Sequence, residues 1–148
     1  MDIDFKIKRF NELELLELYK ILRLRAEVFV VEQDCVYQDV DDKDQKALHV
    51  IGYKNNEIIA YTRIFNSGDY FDKASIGRVV VSENQRKYGY GHDLIKKSIE
   101  GIKEQFRTDQ IKISAQCYLK KFYEKHSFKQ IGNEYLEDGI PHIAMIRS

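Results

Sequence analysis

Apolar and polar positions alternate at the start of the chain: Phe5 and Ile7 take one face and Lys6 and Lys8 the other, the period of two expected of a strand with one side buried. The period then lengthens. In ELLELYKILRLRAEVF the residues Leu15, Leu18, Leu22 and Phe29 recur near helical spacing, and Asn11 with Glu14 three positions on is a capping signal. An amphipathic helix with those four residues facing the core is predicted. The polar VEQDCVYQDVDDKDQK that follows carries Asp39, Asp41, Asp42 and Asp44 in one acidic run and reads as a loop.

Alternation returns in ALHVIGYK and EIIAYTRIF, two strands around Asn55-Asn56, whose tolerance of positive φ suits a tight hairpin. ASIGRVVV ends in the continuous apolar run of a strand covered on both faces. A glycine-containing turn and a helix to about Phe106 come next. IKISA reads as a strand, LKKFYEKH as a short helix, and SFKQIGNEYL with PHIAMIRS as a last pair of strands around Glu137-Asp138-Gly139. Pro141 falls at a strand start, where its missing N–H is tolerated. The predicted order is β-α-β-β-β-α-β-α-β-β, an α/β (α+β) chain whose mixed sheet is flanked by helices. No repeat or linker interrupts it, so residues 1–148 are expected to form a single domain.

Composition narrows the function classes. Hydrophobic residues at 43% and charged residues at 32% are the balance of a folded soluble protein. The 24 basic side chains cancel the 24 acidic ones, so no global field points to nucleic acid or an anionic membrane. No apolar run is long enough for a bilayer span, and MDIDFKIKRF lacks the apolar core of a secretory signal. Cys35 and Cys117 lie far apart, without metal-ligand spacing to His49, His92, His126 or His142, so no metal site is expected. Two free thiols suit the reducing cytoplasm.

Local charge and backbone carry the chemistry. In VVVSENQRKYGYG a strand feeds a basic turn, then a helix N-terminus, a place where unpaired N–H groups and the positive end of a helix dipole favour an anion. Gly89 and Gly91 remove Cβ atoms that would bar phosphate oxygens from the main chain, and Arg86 and Lys87 add charge at the rim. The dinucleotide fingerprint fails because Leu94 stands where its third glycine belongs, and no GK[ST] completes a P-loop. The pattern [QR]xxGx[GA] fits, as Arg86-Lys87-Tyr88-Gly89-Tyr90-Gly91.

That loop, between a strand and a helix, resembles the pyrophosphate loop of the GNAT superfamily of acyl-CoA-dependent N-acyltransferases. LRAEVFVVEQDCVYQDVDDKD, IGRVVVSENQRKYGYG, AQCYLKKFYEKHSF and YLEDGIPHIAM are together similar to the ElaA family within it. The resemblance implies a mostly antiparallel GNAT sheet of six or seven strands, acetyl-CoA as cosubstrate, no metal, and an amine-bearing small molecule or peptide as acceptor. It also implies that the amides of Arg86, Lys87, Tyr88, Gly89, Tyr90, Gly91 and His92 hold the pyrophosphate. The Val79, Val80 and Val81 backbone would run beside the pantetheine arm and supply an oxyanion donor. Direct attack of the amine needs no enzyme nucleophile. Tyr123 in FYEKHSF stands where many members carry the general acid that protonates the leaving thiolate. GNAT folds often pair, so a homodimer is implied as well.

The base is less determined. Glu32 is the first candidate, with Glu137, Asp138 and His142 of the last hairpin as others, and Glu32 and His142 are also candidate acceptor contacts. Cys117 admits an acyl-cysteine path, although a packed thiol is the plainer expectation. The acidic run is either a solvated loop or, if it faces the acceptor, a reason to expect a cationic amine such as a polyamine. The alternatives to an enzyme are a CoA-binding sensor of the same fold and a generic phosphate binder.

Overall fold

In the computed structural model of the chain, which describes residues 2–148, seven strands form two antiparallel sheets. The elements are β1 (Asp4–Arg9), α1 (Leu15–Arg25), β2 (Leu48–Lys54), β3 (Glu57–Phe65), β4 (Ser75–Val81), α2 (Tyr90–Phe106), β5 (Ile111–Gln116), α3 (Lys120–Glu124), β6 (Lys129–Glu137) and β7 (Ile140–Arg147). Their order is the predicted one. Strands β1 to β4 pair in chain order, and the second sheet runs β5-β7-β6. Parallel pairing shrinks to one bridge between the sheets, Ala74 with Ile111, where the Lys112 N–H reaches the Ala74 carbonyl at 2.8 Å. The predicted tight turn forms with positive φ, Asn55 at 52° and Asn56 at 65°, and the last hairpin turns with Asp138 at 50° and Gly139 at 77°. Among the described residues no helix is long and apolar enough to cross a membrane.

The two helices cover opposite faces of the first sheet. Alternation along the strands sends Val50, Ala60 and Ile64 towards α2 and Ile51, Tyr61 and Val80 towards α1. On α2 the buried residues Tyr90, Leu94, Ile95, Ser98, Gly101 and Ile102 make one stripe. Gly101 allows close approach, because a Cβ there would stand 2.7 Å from Ile7 Cδ1.

The first helix departs from expectation. Its first turn is capped by Glu17, whose carboxylate accepts from the Glu14 N–H at 2.9 Å, and not by Asn11. Its core face is Ile21, Leu24 and Val28 with Phe29, while Leu15 is 87% exposed and Leu18 and Leu22 are only half-buried. After Arg25 the helix widens to i+5 bonding over Ala26–Glu32, with the Gln33 N–H on the Val28 carbonyl at 3.1 Å.

Arg25 lies in the middle of this apolar stripe and is fully buried. Its Nε meets Asp39 Oδ2 at 2.9 Å and its Nη1 meets Asp44 Oδ1 at 2.8 Å. Arg63 of β3, also buried, holds Asp41 at 2.6 Å and Asp44 at 2.9 Å. Arg78 of β4 donates to the Asp39 carbonyl at 2.9 Å, and its Nε lies 2.7 Å from Asp39 Oδ1, poorly aligned for a hydrogen bond. Three guanidinium groups thus answer three carboxylates. His49 locks the inner side: its Nε2 donates to the Asp44 carbonyl at 2.9 Å, so its Nδ1 accepts from the Tyr61 hydroxyl at 2.6 Å. Most of the acidic run is therefore a buried ionic lattice that ties its loop to α1 and the sheet, with Asp42 left exposed. It is not a solvated loop, and three of its four charges are spent inside the protein.

Burial acts to raise the pKa of Asp41 and Asp44, but Arg63 beside Asp41, and Arg25 and Arg63 beside Asp44, hold both below the usual range. Depressed folded values mean the lattice contributes fully above the unfolded pKa of about 3.9 and is lost as pH falls through the folded values. Arg25→Met takes one of two guanidinium partners from each of the buried carboxylates Asp39 and Asp44 and should lower unfolding free energy by about 3 kcal/mol in a denaturant titration. It should also move acid unfolding to higher pH, whereas Asp42→Asn should change stability by less than about 0.5 kcal/mol.

Candidate active site

Beyond Ala74–Ile111 strands β4 and β5 part, and a cleft of about 130 Å³ opens between them. Gly77, Arg78 and Val79 line one wall and Ile113 to Gln116 the other. The parting begins at a bulge: Arg63 pairs with Gly77 and Tyr61 with Val80, so Thr62 faces both Arg78 and Val79. Arg78 takes φ 51°, which an L-residue rarely adopts, and its ion pair with Asp39 helps to hold it there. Past the bulge the Ser82 N–H bonds the Ile59 carbonyl at 2.8 Å. Alternation therefore turns the Val81 and Val79 main-chain groups to the open edge. Arg86 Nε takes the Val81 carbonyl there at 3.1 Å. The Val80 side chain packs under α1, and those of Val79 and Val81 pack on the opposite core.

The glycine turn follows directly. Glu83–Tyr88 is a 3₁₀ turn that ends at Gly89 with φ 75°, and α2 starts at Tyr90. An L-side chain at Gly89 would be strained by about 1–2 kcal/mol. A Cβ at Gly91 would rest 3.5 Å from the Phe122 ring, so a methyl fits and a larger group has to pass beside that ring. The Gly89 N–H is turned inward to the Arg86 carbonyl at 3.3 Å and the His92 N–H to the Gly89 carbonyl at 3.1 Å. Tyr90 and Gly91 open the helix, which itself offers their N–H groups no carbonyl. Lys87 is exposed and Tyr88 half-exposed, while the Tyr90 ring is buried with its hydroxyl on Asp2 at 2.7 Å. The His92 ring lies against Phe122 and 2.9 Å from His126 Nε2.

The structure brings Val79, Tyr123 and His142 together in the cleft. Tyr123 is buried, its hydroxyl has no hydrogen-bond partner among the described residues, and burial pushes its pKa well above that of a free phenol. Glu32 stands elsewhere. Its carboxylate forms a two-pronged pair with Arg86, at 2.5 and 2.7 Å, and that guanidinium holds its pKa down. A lowered pKa weakens a base. Cys117 has its thiol pushed up by burial and by Glu134, which disfavours the thiolate a nucleophile needs. Residues absent from the sequence reasoning also line the cleft: Arg63, Arg78 and Ser114, beside the rings of Phe29, Phe65 and Phe71. Arg63 and Arg78 each left a signal, a charge inside an apolar strand.

Tyr37, Tyr53, Tyr61 and Tyr123 all have pKa values pushed up by burial. An ultraviolet alkaline titration of the native protein should therefore show a late-ionising tyrosine fraction. Tyr123→Phe should remove one member of that fraction and leave the early fraction unchanged.

Comparison with known proteins agrees with this geometry. The acetyltransferase (GNAT) domain family matches residues 14–148. Protein ElaA of Escherichia coli (strain K12) is 40% identical over 147 residues, 98% of this chain and 96% of that protein. The crystal structure of Escherichia coli ElaA superposes with a TM-score of 0.92 at 39% identity, covering 99% of both chains. The crystal structure of an acyl-CoA N-acyltransferase from Pseudomonas aeruginosa gives a TM-score of 0.92 at 36% identity, again over 99% of both. Likeness on this scale, in sequence and in backbone, means that the chain belongs to the ElaA family of the GNAT N-acetyltransferases.

Proposed function

We propose that the chain, 1–148 acting as one domain, is a cytoplasmic enzyme that moves an acetyl group from acetyl-CoA to a primary amine by direct attack. The observation that carries this reading is the hydroxyl of the buried Tyr123, which has no hydrogen-bond partner among the described residues and faces a cleft whose other wall is the free edge of β4. A CoA-derived cosubstrate follows from the family. Its pyrophosphate would rest on the turn from Arg86 to Gly91, chiefly on the Tyr90 and Gly91 amides at the start of α2. The outward main-chain groups of Val79 and Val81 would pair with the pantetheine arm, and an N–H of this edge would receive the oxyanion.

The chemistry balances without a covalent enzyme intermediate. The amine lone pair forms the C–N bond, the carbonyl π pair moves to oxygen, and collapse of the adduct breaks C–S. Tyr123 gives its proton to the departing sulfur and regains one from the nitrogen of the new amide. A phenol whose pKa is raised keeps that proton until the thiolate develops. Glu32 acts in this scheme through Arg86, bracing the loop and not taking a proton from the acceptor. Two free cysteines agree with a reducing compartment.

Thiol release from acetyl-CoA across a panel of amines and peptides tests the reading. Tyr123→Phe should lower kcat by about 10²–10⁴-fold with little change in acetyl-CoA affinity. Gly91→Val, which drives a branched side chain against Phe122, should weaken acetyl-CoA binding about tenfold in calorimetry and leave the fold intact. Tight acetyl-CoA binding with no release towards any acceptor would make the chain a sensor. Equal affinity for CoA and simple nucleotides would make the turn a generic phosphate site.

A further inference from the structure

The cleft contains a pair of hydrogen-bond acceptors that face each other. His142 of β7 is only 6% exposed, and its Nδ1 lies 2.7 Å from the Ile140 carbonyl. A carbonyl only accepts, so Nδ1 carries the proton and the Nε2 of a neutral ring presents its lone pair. Nε2 lies 3.4 Å from Glu137 Oε2, out of line for a direct hydrogen bond, and a carboxylate also only accepts. The other Glu137 oxygen is fixed by Ser114 Oγ at 2.9 Å, and Ser114 meets the Tyr135 hydroxyl at 2.5 Å. Three strands thus set two acceptors side by side when the ring is neutral, with no donor of the described residues between them.

We propose that this gap receives the ammonium group of the acceptor and that His142 Nε2 is the base that removes its proton before attack. The inference rests on the acyl-transfer reading above and deepens it. An ammonium has three N–H donors: one satisfies Nε2, one satisfies Glu137 and one remains. The surroundings favour a cation, because Arg63 and Arg78 in the same cleft are already answered by aspartates while Glu137 and Asp138 add negative charge. Proton transfer gives a neutral amine and an imidazolium beside the Glu137 carboxylate, and the proton leaves to solvent after turnover. Glu137 is a positioning residue that steadies the charged ring; His142 is catalytic. The titratable and charged groups around the ring are Glu137 and Tyr135 on β6, Asp138 in the turn, and Arg78, Tyr37 and Cys35 across the cleft. The rings of Phe29, Phe65, Tyr70 and Phe71 line the same cleft, which suits an amine on an aromatic or broad apolar body.

Phenethylamine, butylamine and spermidine are assayed with acetyl-CoA over a pH series, using wild type, His142→Gln and Glu137→Gln. His142→Gln should keep the acetyl-CoA KM, lose about 100-fold in kcat near neutrality, and recover as pH rises and free amine replaces ammonium. Glu137→Gln should lose about tenfold and show the same recovery. Activity equal to wild type at every pH, or a loss that does not shrink at high pH, overturns the assignment. If wild type acylates none of the amines, the transfer reading fails, and nitrogen NMR of histidine-labelled protein still judges the site. Phenethylammonium should shift the His142 Nε2 resonance and its trimethylated analogue, which has charge but no N–H, should not. No shift with the primary amine, or equal shifts with both, overturns the inference.

Discussion

Strands β4 and β5 pair at Ala74–Ile111 and then separate, and the backbone left unpaired by that separation is what the site is made from. An unpaired strand edge inside a protein is costly unless its N–H and C=O groups find partners. Here part of the cost is met by Arg86, which takes the Val81 carbonyl, and the rest would be met by the extended ligand proposed above. The bulge opposite Thr62 sets where the separation begins. It also fixes which β4 residues turn their main chain to the gap, so a one-residue shift of the bulge would exchange donor-bearing residues for core-facing ones.

The ionic lattice keeps this opening in place. Arg25 comes from α1, Arg63 from β3 and Arg78 from the bulge itself, and their carboxylates all come from one loop. Ion pairs of this kind add little net stability, since desolvation offsets most of their Coulomb energy, but they are strongly directional. Glu32 repeats the device at the other end of the helix, where its pair with Arg86 joins the widened turn to the glycine loop.

Element order was legible because period-two and helical patterns are local, and so were the turns at Asn55-Asn56 and Asp138-Gly139, whose residues tolerate positive φ. The same local rule misplaced the face of α1. Leu15 and Leu22 carry the right spacing, yet the helix buries Arg25, because the carboxylates that satisfy it lie in the following loop. No periodicity reveals such a partner. The glycine loop could be found in the sequence because it is contiguous, and Tyr123 could be found by its place in a motif. The Glu32–Arg86 pair, the bulge and the His142–Glu137 gap depend on strand register and on residues far apart in the chain.

One strand end places both of the proposed proton-handling groups. Gln116 pairs with His142 across β5 and β7, which sets the imidazole at the last rung before the hairpin turn. After Gln116 the chain makes one 3₁₀ turn, Cys117–Leu119, and enters α3, which delivers Tyr123 to the same cleft. The two groups need opposite properties. A proton donor to sulfur must hold its proton until late, which burial without a partner achieves for Tyr123. A proton acceptor must keep a lone pair exposed to the ligand, which the Ile140 carbonyl achieves for His142 by claiming the other ring nitrogen. Neither property belongs to the residue type alone; each is set by backbone that the end of β5 positions.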